Sequence, residues 1–572
     1  MGVRLHARSW RIPADCLLAA ALLLSPGWLR AQTVPDAGSV LKQIEQEQRK
    51  PLPEKSAPIF VPPAPMQSLG GTTATVTVSE FRFAGNTLLA GSELARSVES
   101  FRGHAITFLD LQDAAIAAAN AYREAGWVVR AYLPKQEITN GTVTIQIIEA
   151  SFGAVRVRGE GTRVSVARLQ NIVTASQTPG APLNLRALDR SLLLINDLPG
   201  VLATGRLEEG RNYAESDLVL ALEDGPAMNG SFTVDDAGAR FTGAARLIAA
   251  ASLNSPLHIG DRADGLLLHS QGSDYQRLAY SLPLGSRGIR LGVNASHLSY
   301  DIITNDFAAL DAHGTSNTLG LEATYPLVRR RLANLYVGLN ADDKHFDNSS
   351  VGVTTTEYSA RTAALGLYAN SFDSLMGGGS STMSIAFVQG RVDLAGSPNE
   401  AIDALTVHTA GSFNKLRYSA ARLQVLTERV SLFAGLSGQT ASKNLDSSEK
   451  FYLGGATGVR AYPQDEGSGS EGLLLNLEVR TRLPANFNVT GFVDAGRVRI
   501  NKDNEILGAV ADNSADLAGA GVSAGWTARF GLTLQATVSR RLGRNPNPTS
   551  TGADQDGSLT ENRFWLQASM PF

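Results

Sequence analysis

A membrane β-barrel of about sixteen antiparallel strands, preceded by two small α/β modules, is the fold class the sequence predicts. Three observations carry that reading. Outside the N-terminus no apolar run approaches the ~18–20 residues of a membrane helix. From residue 226 to 572 the helical period is absent, and ~10-residue segments of alternating polarity lie between connections rich in Gly, Asn, Asp and Ser. Residues 74–225, by contrast, read twice over as strand, helices and two further strands.

Arg4, Arg8 and Arg11 precede the apolar stretch Leu17–Leu24, and Ala31 closes a cleavage site, so residues 1–31 read as a signal peptide. The single Cys, Cys16, leaves with that segment, and the net charge falls from −3 to −6 because four Arg and one Asp are removed. The exported chain has no thiol or disulfide chemistry. Residues 32–50 hold a short polar helix at 36–50 with Leu41 and Ile44 as its strong apolar points. A lone helix of that kind is marginal in water and must dock or fray; the bland alternative is a tail. Residues 51–73 form a Pro-rich linker in which Pro51, Pro53, Pro58, Pro62, Pro63 and Pro65 favour extended chain.

In the first module, residues 74–150, Thr75–Phe83 is a strand and Gly85-Asn86 a turn. Thr107 caps a helix whose stripe is Phe108, Leu111, Ala115, Ala118 and Tyr122, and Gly126 stops it. Strands Trp127–Pro134 and Thr142–Glu149 follow. The second module, residues 151–225, repeats the order: strand Ala154–Arg158, helical Val164–Val173, a helix from Asn184, then strands near Val201–Glu209 and Ser216–Glu223.

Residues 226–572 are the barrel. In Leu473–Arg482 Leu473, Leu475, Leu477 and Val479 share one face, and Asn476, Glu478, Arg480 and Arg482 share the other. The last segment puts Phe564, Leu566, Ala568, Met570 and Phe572 on one face. At roughly 21 residues per strand and connection this region gives about sixteen strands, an even count as bacterial barrels require, around an aqueous lumen. A soluble β-sandwich is the competing reading. It seldom runs to this length with one polar face open.

Charge and motifs exclude several functions. Lys+Arg 51 against Asp+Glu 54 gives no basic stripe, so no nucleic-acid partner is expected. Gly467, Gly469 and Gly472 satisfy G-x-G-x-x-G but precede a strand rather than a helix, which excludes a dinucleotide loop. The eight His are scattered without metal-ligand spacing, and no nucleophile elbow occurs; neither cofactor, metal nor catalysis is expected. Asp554-Gln555-Asp556-Gly557 reads as an external polar loop, lacking the distal ligands of a calcium site.

Three markers carry a resemblance, the first in two pieces. Residues 79–90, SEFRFAGNTLLA, with Phe83, Gly85 and Asn86, join YREAGWVVRAYLPKQEITNGTVTIQIIEA at 122–150, with Tyr122, Gly126, Leu133, Pro134 and Gln136. FYLGGATGVRAYPQDEG at 451–467 contains Leu453, Gly454, Gly455, Val459, Arg460 and Tyr462, and GFVDAGRV at 491–498 contains Asp494. Together the chain resembles the outer-membrane transporters of two-partner secretion, the hemolysin- and adhesin-exporting branch of the outer-membrane assembly superfamily. Ala461 stands where that family carries Gly.

The resemblance implies that 74–150 and 151–225 are periplasmic POTRA modules and that the N-terminal helix occupies the lumen. It implies that the long loop folds into the barrel, with Arg460 paired to Asp494. Alternation independently places Asp494 on the lumenal face, with Glu478 a further candidate nearby. The implied partner is a cognate secreted exoprotein. Terminal Phe572 resembles an insertion signal, which makes the barrel-assembly machinery a partner, along with outer-membrane lipid and lipopolysaccharide. A barrel-assembly factor and a passive porin remain as alternatives.

Overall fold

The computed structural model describes residues 34–47, 60–61 and 74–572 except 160, 162, 547 and 550. The signal peptide and most of the linker lie outside the described residues.

Helix α1 is Ala37–Glu47. Asp36 and Ser39 cap it reciprocally, the Ser39 amide donating to Asp36 Oδ1 at 2.7 Å and the Asp36 amide to Ser39 Oγ at 3.0 Å. From the linker, β1 (Phe60–Val61) is described.

The first module contains β2 (Thr75–Thr77), β3 (Glu80–Ala84), α2 (Gly91–Ser97), β4 (Ala105–Thr107), α3 (Phe108–Ala125), β5 (Val129–Tyr132) and β6 (Thr142–Glu149). Its sheet runs β3-β6-β5, with β2 and β4 as a separate pair. Thr107 and Asp110 form a full capping box at the start of α3. Gly126 ends α3 at φ 97°, a left-handed conformation that costs glycine nothing. Leu111, Ala115, Ala118 and Tyr122 are buried against the sheet. Phe108, counted in the stripe from its spacing, is instead exposed: it is the first residue of α3 and lies outside the module's packed cluster.

The second module contains β7 (Ser151–Gly159), α4 (Val166–Thr174), α5 (Leu185–Asn196), β8 (Val201–Glu209) and β9 (Glu215–Asp224). Its sheet runs β1-β8-β9-β7. Asn184 caps α5, and Leu188, Leu192 and Ile195 pack on β8 and β9 through Ala203, Leu218 and Leu220.

The barrel begins with β10 (Met228–Asp235), β11 (Arg246–Asn254), β12 (Arg262–Ser270), β13 (Ser273–Leu284), β14 (Ile289–Asp301) and β15 (His313–Arg329). It continues with β16 (Ala333–Ser350), β17 (Val353–Asp373), β18 (Gly379–Asp393), β19 (Gly411–Val425) and β20 (Val430–Ala441). The long loop then carries the short pair β21 (Phe451–Tyr452) and β22 (Ser468–Gly469). The wall resumes with β23 (Glu471–Arg482), β24 (Phe487–Arg499), β25 (Ser514–Thr527), β26 (Thr533–Arg541) and β27 (Asn562–Pro571). Sixteen strands close the barrel, β27 pairing back onto β10. That seam is short, from Ser231↔Pro571 to Asp235↔Gln567.

The alternation read from sequence is the alternation of the wall. Leu473, Leu475, Leu477 and Val479 are exposed on the outside, as are Phe564 and Leu566. Among the described residues no helix is long and apolar enough to cross a membrane; the strands do so. The second module abuts the near rim of the barrel through charged contacts. Arg329 Nη2 lies 2.7 Å from Asp197 Oδ1, Arg331 Nε 2.8 Å from Asp189 Oδ1, and Arg168 Nη2 donates to the Pro283 carbonyl at 2.7 Å.

Candidate functional site inside the barrel

Two pieces of chain fill the lumen. The first is α1, whose Ala37, Val40, Leu41 and Ile44 pack on an apolar patch that includes Phe241, Tyr300, Phe346 and Tyr358. The rest of α1 is held by polar contacts. Lys344 Nζ donates to Glu45 at 2.7 and 2.9 Å, Arg246 Nη1 to Glu47 Oε2 at 2.9 Å, and Asn348 Oδ1 accepts the Ala37 amide at 2.7 Å.

The second piece is the loop 442–470, which turns inward and meets α1. Gln43 donates to Asp465 Oδ1 at 2.6 Å, Gln464 to Glu47 Oε1 at 2.8 Å, and Gln46 to the Tyr452 carbonyl at 2.9 Å. Leu453, Val459, Ala461 and Tyr462 are fully buried and pack on the inner wall through Leu474, Val498 and Leu517. The loop's turns are tied by its own backbone: Gly454 N to Glu466 O, Gly455 N to Tyr462 O, and Val459 N to Leu453 O.

Arg460 sits at the tip. Its Nε donates to Asp494 Oδ2 and its Nη2 to Asp494 Oδ1, both at 2.8 Å, and its backbone amide also donates to Oδ2 at 3.1 Å. This is a fork-on-fork guanidinium–carboxylate pair, the geometry that adds most directionality to an ion pair. Arg460 Nη2 also lies 2.9 Å from Glu478 Oε1, and its guanidinium lies over the Phe492 ring at 3.5 Å. Asp494 is fully buried and takes a further hydrogen bond from Asn476 Nδ2 at 2.8 Å. The Arg460 carbonyl accepts from Ser539 Oγ at 2.7 Å and Trp565 Nε1 at 2.8 Å.

The structure thus brings Arg460, Asp494 and Glu478 together, with Tyr462 beside them under the Arg541 guanidinium. Sequence reasoning did not single out Phe492, Trp565 or Ser539. Their signal was parity, since Phe492 shares a face with Asp494, and Trp565 alternates against Phe564 and Leu566. Ala461 has an explanation in Gly519. A Cβ built on Gly519 would lie 2.4 Å from the Ala461 Cβ, so the extra methyl of the loop occupies space that a side chain on β25 would take.

Asp554, Gln555 and Asp556 lie in the polar connection between β26 and β27, as read from the sequence, but they are buried because that connection turns inward. Arg541 and Arg563, both inward-facing, draw the Asp554 carboxylate in at 2.7 and 3.2 Å, and the Gln555 amide donates to Glu466 Oε2 at 2.9 Å.

The first-module residues lie apart from this site. Tyr122 donates its hydroxyl to Glu149 Oε1 at 2.8 Å, and the amides of Thr87 and Leu88 donate to the same carboxylate, after the turn at Gly85. Burial works to raise the Glu149 pKa, but these donors and the Thr87 hydroxyl outweigh it and hold the carboxyl below its ordinary range. Asn86 donates to the Leu89 carbonyl at 3.1 Å, and Phe83 packs on the module core. Gln136, following Pro134, pairs with Thr144 like a short strand, donating to its carbonyl and accepting its amide, both at 2.7 Å. Phe572, at the opposite end of the chain, stacks on Phe232 with ring centroids 5.1 Å apart.

Residues 214–527 match the family described as haemolysin secretion/activation protein ShlB/FhaC/HecB. The chain belongs to this family. Residues 76–150 match the ShlB-type POTRA domain. Heme/hemopexin transporter protein HuxB of Haemophilus influenzae (strain 86-028NP) is 26% identical over 585 residues, covering 98% of this chain and 99% of that protein. Outer membrane transporter CdiB of Escherichia coli O6:K15:H31 (strain 536 / UPEC) is 25% identical over 487 residues, covering 82% and 79%. The solved structure of CdiB from Escherichia coli superposes with a TM-score of 0.72 at 21% identity, covering 95% of this chain and all of that one, a likeness of fold. As a two-partner secretion transporter the chain is an outer-membrane pore for exoprotein secretion, with its POTRA region in the periplasm and a secreted exoprotein as its partner.

Proposed function

We propose that this transporter captures one large exoprotein in the periplasm and passes it, unfolded, through the lumen to the cell surface without ATP. The observation that supports this most is the filling of the pore. Both occupants belong to the chain itself; each packs apolar side chains on the inner wall and is otherwise held by hydrogen bonds and ion pairs. In this reading α1 leaves the pore when a passenger enters, and the loop stays locked to the wall. Residues 74–150 and 151–225 are the two capture modules, offering sheet edges to an extended segment. Arg460, Asp494 and Glu478 hold the loop to the wall, with Tyr462 packed beside them, and α1 plugs the resting pore. Folding of the passenger outside supplies direction, since no nucleotide loop exists here. Lipopolysaccharide and lipid surround the wall, and the barrel-assembly machinery inserts it through the segment ending at Phe572.

The test is secretion of the exoprotein encoded beside this chain, in cells with and without it. Loss from the medium with periplasmic accumulation, other barrels remaining assembled, supports the proposal. Normal secretion with broad loss of other outer-membrane proteins would overturn it in favour of an assembly factor.

A further inference from the structure

The outer wall carries a second built surface, far from the lumenal site. Around β14–β18 the outward row Leu291, Ala323, Leu339, Leu365 and Phe387 is followed, one step toward the cell exterior, by Leu321, Ala341, Ala363 and Gln389. The alanines are low where their neighbours stand high. The result is a groove of about 560 Å³ on the membrane-facing wall, flanked by Leu321, Leu339, Leu365 and Phe387. Gln389 is the polar side chain among the outward-facing ones that line it.

The next row outward is charged. Asp343, Arg361 and Arg391 stand directly opposite one another on β16, β17 and β18. Two guanidinium groups facing across neighbouring strands repel. Arg361 is 71% exposed and approaches the Asp343 carboxylate only at 3.4 Å. Arg391 is exposed and makes no hydrogen bond or ion pair among the described residues. His345, 3.9 Å from Asp343, and Asp393, which accepts from the Ala395 amide, lie a further row out. A cationic pair thus sits about 7 Å along the strands above an apolar groove, two residues at ~3.4 Å each.

We infer that this sector binds the lipid A portion of lipopolysaccharide. A phosphate lies between Arg361 and Arg391, whose planar forks match phosphate oxygens and whose mutual repulsion it removes. An acyl chain lies over Ala341 and Ala363, and Gln389 meets the ester and amide linkages between sugar and chain. The inference gives a place to the lipid partner proposed above and rests on the outer-membrane location, in which the far rim faces the outer leaflet.

Full-length protein purified in detergent tests it by native mass spectrometry with three probes: hexa-acylated lipid A bisphosphate, its dephosphorylated form, and phosphatidylglycerol. The wild type is expected to hold the bisphosphate at least about tenfold more tightly than either other probe, the scale of one charge-assisted contact. The double variant Arg361→Gln/Arg391→Gln loses that preference, and Ala363→Phe weakens all three by filling the groove. Arg540→Gln, an exposed outward arginine elsewhere on the wall, leaves binding unchanged. Heat-modifiable migration confirms folding, and Arg391→Gln alone replaces the double variant if that one misfolds. Undiminished bisphosphate preference in the glutamine variants, or equal binding of phosphatidylglycerol by the wild type, would overturn the inference. Binding is read without any passenger, so a failure of the export proposal is scored separately.

Discussion

Arg460 touches two carboxylates and an aromatic face through one side chain, and its own carbonyl is fastened by Ser539 and Trp565. Arg460→Ala leaves the fully buried Asp494 with Asn476 and one backbone amide. Breaking such a pair from one side costs about 3–5 kcal/mol. Export is expected to fall with the barrel still heat-modifiable, and Arg460→Lys is expected to recover little, since an ammonium cannot make the two-pronged contact. Wild-type secretion by Arg460→Ala would remove the role. A second prediction concerns packing. Gly519→Ala drives a methyl into that of Ala461, so export should drop, and adding Ala461→Gly should restore it. Of this site, the arginine and its acid were legible in the sequence through the loop motif and through strand parity. Phe492 and Trp565 were legible as inward residues only. What they touch depends on where an inward loop comes to rest, which no local pattern encodes.

At the scale of elements, α1 and the first module make separable predictions. Deleting 36–50 removes the contacts to Lys344, Arg246 and Asn348. Ion conductance in planar bilayers is expected to rise while secretion persists; unchanged conductance would leave α1 without a plugging role. In the first module, Glu149 and Asp110 both titrate below their ordinary range, Glu149 because its hydrogen bonds outweigh burial and Asp110 chiefly because it accepts from the Thr107 amide and hydroxyl. Lowered carboxylates stabilise the fold fully above their unfolded pKa and lose that contribution as pH falls through the folded one. The protection factors of the Thr87 and Leu88 amides, their exchange rates referred to the unstructured chain at the same pH, should therefore stay constant from pH 7 to about pH 5. They should fall only below the ordinary glutamate value of about 4.3. A fall already near pH 6 would contradict the hydrogen-bond pattern. The capping box at Thr107 and the stop at Gly126 were readable because both are local chemistry. Helix α2 and the pairing of β2 with β4 were not, being too short to show a period and fixed by the module's core.

For the whole molecule, strand number followed from length and spacing because a barrel wall is close to a repeating unit. The burial of Asp554 and Asp556 did not follow. Polar loop residues read as solvated until the inward Arg541 and Arg563 are seen to face them. The second module's seat on the near rim, through Arg329–Asp197 and Arg331–Asp189, was equally hidden. Pairs formed across more than a hundred residues leave no spacing to read.

The double occupancy of the lumen has a consequence for the cell as a permeability problem. An open sixteen-strand pore kept in the envelope would admit solutes that the outer membrane normally excludes, including bulky antibiotics. In the proposed resting state, with α1 and the loop sealing the lumen, many copies would stand ready without eroding that defence. Cells carrying the 36–50 deletion should then become susceptible to large glycopeptide drugs in proportion to copy number, even with no passenger present.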